Sequence, residues 1–162
     1  MTIAKLILPE IDDEMARTRA ILAAVPKEQL EWLPAEGLHT IGWNANHLAE
    51  IVGWTQPILL EDEFDVAPVG GKPYETPSID EPAEILAAFD ANLKAARNSI
   101  ESASDELMAQ EWSMKMGGQA LFTMSKVDCI RKWVLNHSVH HRGILSVYLR
   151  MRGVEVTPAY DS

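Results

Sequence analysis

The 162-residue chain is poor in cysteine, in aromatic residues other than tryptophan, and in positive charge: one Cys, three Tyr, three Phe, and 14 Lys and Arg against 24 Asp and Glu. The lone Cys129 excludes an internal disulfide and fits a reducing compartment. A net charge of −10 argues against nucleic-acid binding and against anionic membranes, because a polyanion gains nothing by displacing counterions from another polyanion. Protonating all five histidines would leave the chain anionic. Long apolar runs are also missing. Glu50, Gln56 and Pro57 interrupt the best stretch well short of the roughly 18 to 20 residues that span a bilayer. Leu6, Ile7 and Leu8 before Pro9 are too few for the apolar core of a signal peptide, so the expectation is a soluble, cytoplasmic protein. There is no Gly-rich phosphate loop, no Gly-x-Ser-x-Gly elbow and no Cys-x-x-Cys, which argues against nucleotide hydrolysis and serine-hydrolase chemistry.

What is present is helix-period patterning. Apolar residues make up 47% of the chain, enough for the core of one domain over residues 1–162. A first helix is expected from Ile3 to Val25, broken or bent near Pro9, with Ile11, Met15, Thr18 and Leu22 inward and Pro26 ending it. A second opens at the Thr40 cap and carries Trp43, His47, Ile51, Trp54 and Ile58 on one seam. A third follows Pro82, with Ile85 or Leu86, Phe89, Leu93, Ala96 and Ile100 inward. The fourth begins at a Ser125/Asp128 capping box and runs to Arg152 before Gly153, with the seam Ile130, Trp133, His137, His140 or His141, Ile144, Tyr148 and Met151. Trp112–Met116 and Ala120–Thr123 flank Gly117 and Gly118 as a short hairpin. The stretch from Glu61 to Ile79 reads as a loop, too long for an ordinary link between antiparallel neighbours. The expected fold is therefore all-α: a four-helix bundle running up-down-down-up, helices two and three parallel and joined by that crossover.

Three of the five histidines fall on inward seams. A lone seam histidine is ordinarily a core residue bonded to a carbonyl. Three converging imidazoles are different, because one metal ion satisfies a nitrogen of each at once. His137 and His141 stand about 40° and roughly 6 Å apart on a helix, near enough to share an ion, and His47 is the donor available from helix two. Spacing alone does not choose between His140 and His141. Cys129 is about 12 Å from His137 along such a helix and belongs to the core. Glu50, three residues after His47, is a candidate outer acceptor or general base, although an exposed helix carboxylate is the commoner fate. The tryptophans read mainly as core filling, Trp43 excepted for its place one turn from His47, and His39 reads as a surface loop residue.

The segment Asn136-His137-Ser138-Val139-His140-His141-Arg142-Gly143 and its continuation to Arg150, with Gly153, Pro158 and Tyr160, resembles the last helix and tail of the DinB family. Ile41-Gly42-Trp43 leading to His47-Leu48-Ala49-Glu50 is similar to that family's second-helix motif. The resemblance implies a four-helix bundle that binds a divalent metal through His47, His137 and His141. Ile144 stands where Gln commonly follows Arg-Gly, and the tail ends Tyr160-Asp161-Ser162 rather than Tyr-Gly-Pro-Ser, departures that bear on the substrate surroundings.

The resemblance also implies a function: a metal-dependent enzyme activating a thiol or water nucleophile, in the manner of a thiol S-transferase or a hydrolase. The partner would be a small molecule, for example a low-molecular-weight thiol. The alternative is a non-catalytic stress-response module in which the ion ties two helices together. Imidazole suits zinc, nickel and iron alike, so the sequence leaves the metal open. Leu59, Leu60, Phe64, Val66, Leu121 and Phe122 lie off the helical seams and lead to the expectation of a homodimer.

Overall fold

The computed structural model describes residues 1–156; Pro158, Tyr160 and the rest of the tail motif lie outside the described residues. Helix α1 (Ile3–Ala23) opens on the Thr2 cap and buries Ile7, Ile11, Met15, Thr18 and Leu22. It runs unbroken through Pro9, where a break or bend was expected. Proline costs the helix one amide bond and a clash of about 3 kcal/mol, but Pro9 is exposed and the buried Ala4, Ile7 and Ile11 hold the turns on either side in the core.

Helix α2 (Ile41–Ile51) starts where the Thr40 hydroxyl accepts the Trp43 amide, and continues through one tight 3₁₀ turn, Val52–Trp54, into α3 (Thr55–Leu60). Helix α4 (Pro82–Ser102) places Pro82 in its first turn and buries Ile85, Phe89, Ala96 and Ile100. A short α5 (Asp105–Ala109) follows on the Ser104 cap.

The expected single fourth helix is three segments. The Ser125 hydroxyl accepts the Asp128 amide and donates to its carboxylate, opening α6 (Lys126–Cys129). A π-helical stretch, Ile130–Asn136, then leads into α7 (His137–Met151). The wider π winding shifts the inward face by one residue: α7 buries Leu145 and Leu149, while the expected Ile144 and Tyr148 are half-buried and Met151 is exposed.

The connection read as a loop contains strand β1 (Glu63–Asp65), a further departure from expectation. It pairs in parallel with β2 (Glu111–Met116), which pairs antiparallel with β3 (Gln119–Ser125). Gly117 and Gly118 supply the two positive φ angles, 60° and 81°, that a two-residue hairpin turn requires. The Asp65 carboxylate accepts the amides of Ala67, Gly117 and Gly118, so a long-range bond holds β1 to the hairpin.

Cross-links report how the helices lie. Between α1 and α4, Arg19 forks onto Asp90 and Arg97 onto Asp12, while the Ile3 amide reaches Asp105 beyond. From α2, the Asn46 amide brackets Ile79 in the connection just before α4, and Asn92 of α4 donates to the Ala49 carbonyl. Buried Arg142 of α7 binds the Glu14 carboxylate at 2.6 Å and the Glu14 carbonyl at 2.9 Å on α1. Buried Lys126 donates to the Leu59 and Glu61 carbonyls, capping the end of α3 with a cation. No helix among the described residues is long and apolar enough to cross a membrane.

Candidate metal centre

The face of α2 that packs against α7 is buried at Asn44, His47 and Ile51, which leaves its polar side chains only protein partners. His47 meets His137 and His141 of α7 there, with ring centroids 5.1 and 4.6 Å away. One ligand nitrogen from each of the three lies within 4.8 Å of the other two. His140, the alternative that spacing left open, is exposed; its ring packs at 5.0 Å beside His141 and it is outside this group.

The surrounding hydrogen bonds decide which nitrogens face inward. Glu50 Oε1 is 2.9 Å from His47 Nδ1, and a carboxylate only accepts, so Nδ1 carries the proton and Nε2 keeps a lone pair. For His141 the orienting group is Asn44. Its amide nitrogen donates to the Thr40 carbonyl at 2.9 Å, which turns Oδ1 toward His141 Nδ1 at 3.2 Å. That oxygen again only accepts, so His141 Nε2 is left with a lone pair.

His141 Nε2 is 2.9 Å from His137 Nε2, close to the separation of two nitrogens bound about 2.1 Å from one ion at a right angle. His137 Nδ1 is buried with no partner in good hydrogen-bond geometry, although the Trp133 backbone one turn back is favourable to its charged form. In the absence of an ion, one of the facing Nε2 atoms must carry a hydrogen. A bound ion would remove that requirement and leave the His137 proton on Nδ1, beside Trp133. The donor set therefore fits a divalent cation: three imidazoles, two held in the ligating tautomer by outer acceptors.

The electrostatics agree. Burial, reinforced by the nearby His47 and His140, pushes His137 down to about 4. Burial together with His47 and His137 pushes His141 down to about 3. Both rings are neutral at pH 7, as metal ligation demands.

Several neighbours were not singled out by the sequence. Asn44 is one; its signal was a polar residue on a buried helix face. Tyr74 and Thr76 come from the long connection. The Thr76 hydroxyl is 3.4 Å from His47 Nδ1, and the Tyr74 hydroxyl is held by Glu50, Thr76 and Trp54, with burial raising its pKa most. Glu50 is not the exposed carboxylate that base rates favour, since its side chain is only 12% accessible. Trp43 is sandwiched between His39, at 3.5 Å, and His47, at 4.5 Å; His39 is the exposed loop residue expected, with its ring stacked on Trp43. Trp54 and Trp133 flank His137 at 5.5 and 5.9 Å.

Comparison with known proteins follows the same line. The sequence model of the DinB superfamily matches residues 10–145. No curated protein matches. Among solved structures the chain is similar to a DinB-like protein of Bacillus cereus, with 21% identity, a TM-score of 0.74 and 98% of both chains covered. It is similar also to a DinB-like protein of Bacillus subtilis, with 18% identity, a TM-score of 0.66, and 93% of this chain and 94% of that one covered. A third, YfiT from Bacillus subtilis, is described as a probable metal-dependent hydrolase with an unusual four-helix bundle topology; it shares 15% identity and a TM-score of 0.62 over 89% of this chain and 88% of that one. At these identities the structures speak for the fold. With the family match extending from α1 into α7, the chain belongs to the DinB superfamily.

Proposed function

We propose that His47, His137 and His141 hold one divalent ion, and that the protein is a metal-dependent enzyme that activates a thiol or a water nucleophile on a small-molecule substrate. The observation that carries this reading is the tautomer arrangement: Glu50 and Asn44 hold two Nδ1 protons outward, so that lone pairs converge on one point. When bound, a divalent ion supplies Lewis acidity, drawing a thiol or water toward its deprotonated form. The chain's part is positioning. Glu50 Oε1 holds the His47 proton, the Tyr74 hydroxyl steadies Glu50, and Trp43, Trp54 and Trp133 pack the rings in place. Since Glu50 Oε1 is engaged with His47, its role is that of an outer acceptor rather than a general base. The description of YfiT supports water as the nucleophile; the family resemblance supports a thiol S-transferase.

A second reading, a non-catalytic module in which the ion ties α2 to α7, is supported by the placement of Glu50, Trp54 and Trp133 between the imidazoles and the neighbouring cavity. Protein purified without a nickel column should contain about one divalent ion per chain. Cobalt-substituted protein should change its visible spectrum on addition of thiol or azide if coordination positions are open. An unchanged spectrum would favour the module, and absence of metal after reconstitution would refute both.

The finer architecture belongs to the same proposal: one domain, its bundle running up-down-down-up with α2 and α4 parallel, as the order of the cross-links supports. Of the six residues off the helical seams, Leu59 is buried and Val66 and Phe122 are half-buried within the chain, while Leu60, Phe64 and Leu121 are exposed; the exposed three support a homodimer. Light scattering at tens of micromolar should give about twice the 18.0 kDa chain mass; a monomer mass would refute it.

A further inference from the structure

Beside the histidine cluster, the 3₁₀ turn, α3, the long connection, β2 and the π-helical stretch enclose a cavity of about 390 Å³. Its walls are rings and a thioether: Trp54, Trp112, Trp133, Phe64, Tyr74 and Met114. These walls brace one another. Phe122 stacks on Trp133 at 5.0 Å with the planes 5° apart, and Tyr74 meets Trp54 and Phe64 edge-on, both at 6.2 Å. The cavity is therefore formed before anything enters it, and its size lies in the range of about 300 to 1,000 Å³ typical of small-molecule sites.

The polar groups restrict the occupant. No lysine, arginine or histidine is among the described residues that line it, so an anion would be desolvated without a counter-charge. The one carboxylate in the wall, Glu50, already accepts from His47 Nδ1 and interacts with the Tyr74 hydroxyl, so it is not a free anion awaiting an organic cation. Asn92 donates one amide hydrogen to the Ala49 carbonyl, and the indole N–H of Trp112, a wall residue, is buried without a partner. Trp54 and Trp133 belong to both places, lining the cavity and packing on His137.

We infer that this cavity binds a small, uncharged, largely apolar molecule of about the size of two or three aromatic rings, beside the wall residues Glu50, Trp54 and Trp133 that contact His47 or His137. In an enzyme of the kind proposed above it would hold the apolar body of the substrate; that assignment rests on the proposed function, whereas binding itself does not require the metal.

The test uses metal-free protein and two probes of similar size: neutral N-phenyl-1-naphthylamine and the anionic sulfonate 1-anilinonaphthalene-8-sulfonate. The neutral probe should bind saturably, one per chain, quench tryptophan emission by energy transfer, and be displaced by naphthalene. The sulfonate should bind at least about tenfold more weakly, as should the cation trimethylphenylammonium in competition. Met114→Trp and Val66→Phe, which fill the cavity from two walls, should each weaken the neutral probe about tenfold or more with the unfolding temperature near wild type. Two variants guard against one failing to fold. Leu6→Ser, on the exposed face of α1, should leave binding unchanged. Equal or tighter binding of either ion, loss of binding in Leu6→Ser, or full binding in the filled variants would each overturn the proposal. Metal uptake is measured separately on reconstituted protein, so a chain that takes up no metal but still binds the neutral probe would sink only the proposed function.

Discussion

Helix α7 carries two inward imidazoles one turn apart, and their surroundings differ. His141 is held at Nδ1 by Asn44, and the next residue, Arg142, is pinned to α1 through the Glu14 carboxylate and carbonyl. His137 has no good partner at Nδ1 and follows directly on the π-helical stretch. The contrast shows that order in the site comes mainly from α2 and α1. Asn44 and His47 lie on a buried face whose capping residue, Thr40, also fixes the Asn44 amide. His137 is the arm whose geometry an ion would complete.

The largest effects should come from the imidazoles themselves. His47→Ala, His137→Ala and His141→Ala should each reduce metal affinity by more than the roughly 10- to 100-fold typical of losing an outer partner. His140→Ala should leave metal content near wild type, because that side chain is exposed and outside the cluster. Equal losses in His140→Ala and His141→Ala, measured by metal analysis after dialysis, would break the assignment.

The outer partners come next and bear directly on the contrast along α7. Asn44→Ala and Glu50→Ala should each cost roughly 10- to 100-fold in metal affinity, by releasing His141 and His47 from the ligating tautomer. Trp133→Phe should cost less, since it changes packing around His137 without removing a hydrogen bond from its ring nitrogens. A larger loss in Trp133→Phe than in Asn44→Ala, by competition with a chromogenic chelator, would mean that His137 is the better-held arm.

Acid should act on the metal-free protein through the same rings. His137 and His141 titrate at about 4 and about 3 when folded, against about 6.5 for an unfolded histidine. Between those values the unfolded chain binds more protons than the folded one, so the stability these neutral rings confer is complete above about pH 6.5 and is lost as pH falls toward 3. The unfolding temperature should therefore drop on acidification through this window, and the drop should shrink in His137→Ala and in His141→Ala. A slope unaffected by either substitution would show that other groups govern acid sensitivity.

The long helices, their caps and the seams as far as His141 were legible because each depends on residues close in the chain: Thr40 with Trp43, Ser125 with Asp128, Ile11 with Met15 and Thr18. The hairpin was legible through Gly117 and Gly118. Other features depend on contacts that spacing does not encode. Asn44 meets His141 across 97 residues, and Thr76 reaches His47 across 29. Strand β1 is three residues long, too short for a two-residue alternation to show, and exists because β2 offers it a parallel edge. Pro9 marked a break in the sequence because local cost is visible there and the packing of Ile7 and Ile11 is not. Family resemblance selected His141 over His140 where helical geometry could not, and the burial of Glu50 depended on Tyr74 arriving from the connection.

The smallest effect should appear at Gly143, two residues beyond His141. It lies inside α7, and a Cβ built there meets nothing within 4 Å. Glycine inside a helix costs roughly 0.5 to 1 kcal/mol relative to alanine, because the unfolded chain loses more freedom on ordering. Gly143→Ala should therefore stabilise the protein by about that amount, raising the unfolding temperature by a few degrees, about 2 to 4 °C per kcal/mol at this size. Metal content should not change, since neither Asn44 nor Arg142 depends on the missing side chain. If Gly143→Ala raises stability and keeps the metal but alters turnover or oligomeric state, something outside the chain approaches α7 at this exposed position, and the glycine belongs to recognition. If it lowers stability, α7 is strained next to Arg142, and the ordered character assigned here to the His141 arm is wrong.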